Sequence, residues 1–175
     1  GGSFVTLASV ITLGRIFLVP VFLALLLTAE QLTYRVPLAV AVFVLAAVTD
    51  GLDGYVARAR REVTKFGALI DPVADKLLIS SALIALVELG EVSAWIAVLI
   101  IGREFAVSGL RIVVASEGGE IPVSRWGKIK TFSQIIGIVG VLLGIPGGTV
   151  ILWIASGITV ISGIDYFIKA QIHLR

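Results

Sequence analysis

The chain has 175 residues, a length typical of one domain, but its composition is far from that of an ordinary soluble domain. Hydrophobic residues make up 58% of it and the mean hydropathy is +1.07, which favours a bilayer environment. The absence of cysteine excludes disulfides, thiol nucleophiles and thiolate metal sites. The formal net charge of +2 is small, and we expect no nucleic acid among the partners.

Six apolar stretches follow one another along the chain, and most of them are long enough to cross a bilayer as a helix. They cover Ser9–Thr28, Pro37–Ala57, Phe66–Val87, Val92–Ala115, Lys130–Ile145 and Thr149–Ala170. The pattern predicts an all-α, polytopic membrane protein with six transmembrane helices, in which residues 4–175 form a single domain. Residues 1–3 (Gly-Gly-Ser) are typical of a remnant left by cloning, and no cleavable signal peptide is evident.

The basic residues cluster in three places that alternate along the predicted topology. These are the second connection (Arg58, Arg60, Arg61, Lys65), the fourth (Arg125, Lys128) and the C-terminus (Lys169, Arg175). The opposite side has only Arg35. Because basic loops stay in the cytoplasm, both termini are predicted to be cytoplasmic. We expect a multi-pass protein of the cytoplasmic (inner) membrane.

Four aspartates and three small residues form polar stripes on the second and third predicted helices. On the second helix the stripe contains Asp50, Asp53, Gly54 and Ala57, and on the third it contains Gly67, Asp71 and Asp75. At about 100° per residue, each set lies on one helix face. The short connection predicts antiparallel neighbours, so that the four carboxylates converge near the cytoplasmic end.

An unpaired carboxylate cluster inside a membrane protein is unfavourable, and protonation or a bound cation relieves it. Carboxylate oxygens are hard ligands, which suit Mg²⁺ or Mn²⁺, with Ca²⁺ as a further option. Gly54, Ala57 and Gly67 leave room for a ligand, and Arg58 offers a planar donor for phosphate. The alternative is a set of buried acids paired with Arg58 or Lys76 for stability alone.

This pattern resembles the CDP-alcohol phosphotransferase family, whose signature is D-x2-D-G-x2-A-R-x8-G-x3-D-x3-D. Every fixed position is present, at Asp50, Asp53, Gly54, Ala57, Arg58, Gly67, Asp71 and Asp75. The resemblance implies a six-helix catalytic bundle, a homodimer within membrane lipids, and two bound divalent ions, Mg²⁺ or Mn²⁺. It also implies attack by an alcohol hydroxyl on the lipid-bearing phosphorus of a CDP-linked lipid, with release of CMP.

The resemblance assigns roles to individual positions of the motif. Asp50, Asp53 and Asp71 are expected to bind metal, and Asp75 is expected both to adjoin the metals and to act as the general base. The residues expected to bind CDP-diacylglycerol are Asp53, Gly54, Ala57, Arg58, Gly67 and Thr12. This chain departs from the family branch that it most resembles at Ser9, where asparagine is common.

Further cations on the fourth and fifth helices point to a phosphorylated acceptor. Arg103 and Arg111 lie about 80° apart around the fourth helix, and Arg103 is deep enough to need a partner, either Glu104 or an anionic substrate. Lys128 and Lys130 lie where the fifth helix enters the membrane. Together these four cations could bind the phosphate of glycerol 3-phosphate while its hydroxyl is directed at the metals.

Three segments also resemble the family branch that uses glycerol 3-phosphate. They are Asp71–Lys76, Arg103–Phe105 and Gly127–Thr131. Other acceptors are alternatives within the family: serine, inositol phosphate or phosphatidylglycerol. A more distant alternative is an ion transporter with intramembrane carboxylates, although the chain has no internal repeat of the kind common in transporters.

Simpler interpretations exist for several charged residues. Lys128 and Lys130 are also compatible with positive-inside anchors at a helix end, and Arg15 with a side chain that extends to the membrane interface. Asp165 and Lys169 are four residues apart, which favours an ion pair on a helix surface.

Overall fold

The computed structural model describes residues 7–28, 31–60, 65–118 and 125–173, with side chains described for 10–28, 31–49, 73–74, 76–118, 127 and 129–171. Within these residues the chain forms six α-helices and no β-strand. They are α1 (Leu7–Leu27), α2 (Arg35–Arg60), α3 (Lys65–Glu88), α4 (Ala94–Ser116), α5 (Arg125–Leu142) and α6 (Gly148–His173). The all-α prediction is confirmed, and each helix overlaps one predicted apolar stretch.

The chain divides into two compact units, Gly1–Ala85 and Leu86–Arg175. In the first unit α1 packs along α2, and the fully buried rings of Phe22 and Phe43 meet with their centroids 5.7 Å apart. In the second unit α6 packs against both α4 and α5. Unit 1 therefore contains both halves of the aspartate motif, and unit 2 contains the cations predicted to bind the acceptor.

A glycine in left-handed conformation determines where α5 ends. Gly144 has a φ of +65°; its N–H donates to the Val141 carbonyl at 2.9 Å, and the Ile145 N–H donates to the Gly140 carbonyl at 2.8 Å. This pair of bonds is a Schellman motif. Hydropathy extends the fifth stretch to Ile145, whereas α5 ends at Leu142 because the motif reverses the chain there.

Helices α5 and α6 approach each other closely through glycines. A Cβ atom at Gly148 would lie 2.7 Å from the backbone carbon of Gly140, and one at Gly137 would lie 2.6 Å from Leu152 Cδ2. Larger side chains would force the two backbones apart. Small residues at a helix interface are typical of membrane proteins, in which packing rather than hydrophobic burial holds helices together.

The side-chain polarity is inverted relative to that of a soluble protein. Large apolar side chains such as Phe17 and Ile112 are each 71% exposed, whereas Arg15 is only 1% exposed. Two segments, Val10–Leu27 and Gly148–Gln171, are long and apolar enough to cross a membrane; Arg35–Thr49 and Ile129–Leu142 are shorter apolar helices. This pattern supports a membrane protein, while the number of six spans stays a prediction.

Candidate active site

Both halves of the aspartate motif lie on continuous helical backbone. Residues 50–58 belong to α2 and residues 67–75 belong to α3, which confirms the helical periodicity behind the predicted stripes. The side chains of the motif (Asp50, Asp53, Gly54, Ala57, Arg58, Gly67, Asp71 and Asp75) lie outside the described residues. Their coordination of metal therefore stays a prediction.

The motif positions continue the buried faces of the two helices. On α2 the fully buried residues Ala39, Phe43 and Ala46 precede position 50 by eleven, seven and four residues. These intervals bring a residue back to nearly the same side of a helix. On α3, Leu78 and Ala82 follow position 71 by seven and eleven residues, and both are 3% exposed or less. The backbone register thus gives positions 50 and 71 nearly the same helix faces as these buried residues.

Thr12 and Arg15 lie one turn apart on α1 and are each 1% exposed. Thr12, the predicted contact to the CDP-lipid, is therefore inside unit 1. The interpretation of Arg15 as a side chain extending to the membrane interface is wrong, because protein atoms cover it. A buried arginine next to a predicted substrate contact is a candidate site residue that the sequence analysis missed; its depth in the apolar stretch was the available signal.

Arg103, Glu104 and Lys130 form a largely buried ionic cluster in unit 2. Arg103 Nη1 lies 3.3 Å from Glu104 Oε1, and Lys130 Nζ donates to the same oxygen. The three side chains are between 9% and 14% exposed. The prediction that Arg103 needs a partner is confirmed, and that partner is Glu104. The interpretation of Lys130 as an anchor at the membrane surface is wrong, because its side chain is buried.

Helix α6 supplies contacts that the sequence analysis missed. Arg103 Nη2 donates to Ser162 Oγ at 2.9 Å, and the aliphatic part of Arg103 passes over Gly163, where a Cβ atom would come within 3.0 Å of Arg103 Cγ. Thr159, Ser162, Gly163 and Tyr166 occupy about 100° of one face of α6. A run of small and polar residues at this spacing in an apolar helix was the available signal.

Arg111 is joined to the same face of α6 through an aromatic ring. Its guanidinium carbon lies 5.9 Å from the centroid of the Tyr166 ring, within the range of a cation–π interaction. Tyr166 follows Ser162 by one helical turn. The structure thus brings Arg103 and Lys130 together through Glu104, and it places Arg111 near the same face of α6. The Lys128 side chain lies outside the described residues.

The charges of this cluster favour an anion. Three cations (Arg103, Arg111 and Lys130) and one carboxylate (Glu104) leave a formal excess of two positive charges. Arginine and lysine donors bind phosphate oxygens strongly where little water competes, as at Arg103 and Lys130; Arg111 is exposed. By contrast, the predicted Asp165–Lys169 pair is confirmed as an ordinary helix-surface contact, with 2.6 Å between its charged atoms and both side chains more than a third exposed.

The sequence matches known proteins over most of its length. A model of the CDP-alcohol phosphatidyltransferase family matches residues 5–161. A Bacillus subtilis protein named CDP-diacylglycerol--glycerol-3-phosphate 3-phosphatidyltransferase is 42% identical over 177 residues, covering 91% of this chain and 92% of the relative. A Rickettsia typhi protein of the same name is 40% identical over 170 residues, covering 92% and 94% of the two chains.

A third relative, from Mycobacterium tuberculosis strain H37Rv, is named probable phosphatidylglycerophosphate synthase. It is 42% identical over 170 residues, which are 94% of this chain and 81% of that protein. The family match includes both halves of the aspartate motif and the cationic cluster up to α6. The chain therefore belongs to the CDP-alcohol phosphatidyltransferase family, and it is an enzyme of this kind.

Proposed function

We propose that the enzyme transfers the phosphatidyl group of CDP-diacylglycerol to sn-glycerol 3-phosphate, which yields phosphatidylglycerophosphate and CMP. The reaction is a step of phospholipid biosynthesis. The names of relatives that are 38–42% identical over most of the chain support this substrate pair. The structural observation that supports this acceptor is the largely buried cluster of Arg103, Glu104 and Lys130.

The cluster argues for an acceptor that bears a phosphate. Its two buried cations share one carboxylate oxygen, so their positive charge is only partly neutralised. With Arg111 included, the excess is two positive charges, which a phosphate dianion would neutralise. A zwitterionic acceptor such as serine has no group of that charge. Arg103, Arg111, Lys128 and Lys130 are thus assigned to the phosphate of the acceptor.

The four aspartates are assigned to the metal ions. Carboxylate oxygens match the hard-ligand preference of Mg²⁺ and Mn²⁺, and positions 50 and 71 continue buried helix faces, where acids need a counter-charge. Asp50, Asp53, Asp71 and Asp75 would hold two ions. The ions supply charge neutralisation for the pyrophosphate of the CDP-lipid and for the leaving group.

The residues of this chain then carry out one displacement. Arg58 and Thr12 hold the CDP-lipid, while Gly54, Ala57 and Gly67 leave space for it. Asp75 accepts the proton of the acceptor hydroxyl. The hydroxyl oxygen forms a bond to the lipid-bearing phosphorus, the bond from that phosphorus to the CMP oxygen breaks, and CMP leaves.

The membrane arrangement is part of the same proposal. Six transmembrane helices in a single catalytic domain, with both termini and the active site on the cytoplasmic side of the inner membrane, agree with the distribution of basic residues. The apolar exposed surface of the helices supports contact with membrane lipids. A homodimer is expected from the family resemblance.

Product analysis tests the proposed function. The purified enzyme is incubated with Mg²⁺ or Mn²⁺, labelled CDP-diacylglycerol and one acceptor at a time: glycerol 3-phosphate, inositol phosphate, serine or phosphatidylglycerol. We expect phosphatidylglycerophosphate and an equal amount of CMP with glycerol 3-phosphate only. Phosphatidylinositol phosphate without phosphatidylglycerophosphate would refute the acceptor assignment. Absence of CMP with every acceptor would refute the proposed transfer reaction.

A further inference from the structure

Tyr166 carries a buried hydroxyl group that has no hydrogen-bond partner among the residues that the structure describes. The residue is only 6% exposed. A buried polar group without a partner lowers stability, since it loses its bonds to water and gains none. Phenylalanine would fill nearly the same space without this cost. The hydroxyl group therefore requires an explanation beyond packing.

The hydroxyl groups that precede Tyr166 on the same face of α6 are satisfied within the protein. Thr159 donates to the Ala155 carbonyl at 2.6 Å and accepts from Gln134 Nε2 at 2.9 Å. Ser162 donates to the Thr159 carbonyl at 3.0 Å and accepts from Arg103. Along this polar face, Thr159 and Ser162 have their partners within the protein, whereas the Tyr166 hydroxyl has none among the described residues.

The surroundings of Tyr166 are positively charged. Arg111 lies over its ring, and Ser162, one turn earlier, binds Arg103. The carboxylate of Glu104 is already engaged by both Arg103 and Lys130. A phenol whose ring lies under one arginine, one helical turn from the serine that binds a second, is suited to donate to an anionic oxygen. The excess positive charge indicates that this oxygen belongs to a ligand.

We propose that the Tyr166 hydroxyl donates a hydrogen bond to the phosphate of the acceptor, and that its ring holds Arg111 beside the same phosphate. This inference rests on the proposed function, because it assigns the phosphate to the acceptor and not to the CDP-lipid. Tyr166 is thus a specificity-determining residue on α6, which also supplies Ser162 and Gly163. The reacting hydroxyl of the acceptor is at the other end of the molecule, so Tyr166 acts on binding more than on turnover.

The variant Tyr166→Phe tests the proposal because it removes one oxygen atom and keeps the ring under Arg111. Loss of a hydrogen bond to a charged group predicts a rise in KM for glycerol 3-phosphate of about ten- to a hundredfold. The kcat and the KM for CDP-diacylglycerol should stay unchanged. The unfolding temperature of the variant should not fall, since the removed group has no partner among the residues whose side chains are described. Tyr34→Phe, at a position 68% exposed in unit 1, is the matched control and should change none of these values.

Inorganic phosphate gives a second measurement that does not depend on the acceptor. Phosphate should raise the unfolding temperature of the wild-type enzyme by binding to the folded state, and this gain should be much smaller in Tyr166→Phe. If the variant keeps both its KM for glycerol 3-phosphate and its response to phosphate, the proposal is wrong. A rise confined to the KM for CDP-diacylglycerol would also overturn it, because the hydroxyl would then bind the lipid pyrophosphate.

The two proposals can fail separately. If the wild-type enzyme forms no phosphatidylglycerophosphate, the proposed function is wrong whatever Tyr166 does. If it forms this product and Tyr166→Phe behaves as wild type, only the role of Tyr166 is wrong. A third outcome is also possible: the enzyme uses a different phosphorylated acceptor, and Tyr166→Phe still responds less to phosphate than wild type does. The contact between Tyr166 and a phosphate would then stand, but the acceptor that carries this phosphate would not be glycerol 3-phosphate.

Discussion

Gly163 of α6 lies directly against Arg103 of α4: a Cβ atom at position 163 would come within 3.0 Å of Arg103 Cγ and 3.5 Å of its Nε. The absence of a side chain at residue 163 lets the arginine lie along α6 and reach Ser162. The position of a predicted phosphate-binding cation thus depends on a glycine sixty residues away in the sequence.

Gly163→Ala is expected to displace Arg103 and weaken its bond to Ser162. The KM for glycerol 3-phosphate should rise about tenfold, the effect of impairing one charged hydrogen bond, with little change in the KM for CDP-diacylglycerol. Gly157→Ala is the matched control, because nothing lies within 4 Å of a Cβ at that position of the same helix. The control should keep its KM and gain up to about 1 kcal/mol of helix stability. Equal KM values in both variants would contradict the role of Gly163.

Glu104→Gln should destabilise unit 2 strongly. It removes the carboxylate shared by two largely buried cations, and breaking a buried ion pair costs about 3–5 kcal/mol. Asp165→Asn removes one carboxylate from an exposed pair on α6 and should cost about 0.5 kcal/mol or less. Chemical denaturation in detergent micelles measures both changes. Similar losses in the two variants would show that Glu104 does not neutralise the cluster.

Asp75→Asn tests the assignment of the general base. Loss of the base should lower the rate of CMP release by about 10²- to 10⁴-fold, because the amide cannot accept the proton of the acceptor hydroxyl. Binding of CDP-diacylglycerol in the presence of metal should largely survive. The control is Asp165→Asn, the same chemical change on the helix surface. Retained turnover in Asp75→Asn would refute the assignment.

Metal removal tests the ligand assignments of the other aspartates. Chelation with EDTA should abolish CMP release, and Mg²⁺ or Mn²⁺ should restore it, because carboxylate oxygens are the predicted ligands. Asp53→Asn and Asp71→Asn should each raise the metal concentration needed for half-maximal activity. Activity that persists in EDTA, or metal titrations that match wild type in both variants, would count against this site.

Gly148→Ala should loosen the contact between α5 and α6. Its Cβ would lie 2.7 Å from backbone atoms of both Gly140 and Val141, and backbone cannot move aside as a flexible side chain can. Overpacking of this kind costs about 1–3 kcal/mol. Thermal unfolding should therefore begin at a lower temperature than in Gly157→Ala, which adds the same methyl group in open space. A variant as stable as wild type would show that α5 and α6 separate at little cost.

Several features of the fold were predictable because they depend on near neighbours in the sequence. Hydropathy located all six helices, and the spacing of the aspartate motif placed its halves on helical faces. The end of α5 was predicted three residues too late, because apolar residues continue past the Schellman motif at Gly144. Backbone hydrogen bonds of this kind depend on φ angles that hydropathy does not report.

The charged residues show where prediction from sequence ends. Arg103 was recognisable as functional because of its depth in an apolar stretch, and Glu104 was one of its two possible partners. Lys130 and Arg15 were open to interpretation as surface cations, and both are buried. The bonds from Lys130 to Glu104 and from Arg103 to Ser162 join residues 26 and 59 positions apart. No local pattern encodes such pairs.

The sequence by itself determined the family, the helical architecture and the aspartate motif, because these follow from composition and from periodic spacing within single helices. Only the tertiary structure decided that Arg103 and Lys130 share Glu104 and that Gly163 makes room for Arg103. It also decided that the Tyr166 hydroxyl is buried with no partner in the described part of the chain. These relationships arise where α4, α5 and α6 pack together. The partner of a buried polar group is set by which helices are neighbours in space, and packing determines that.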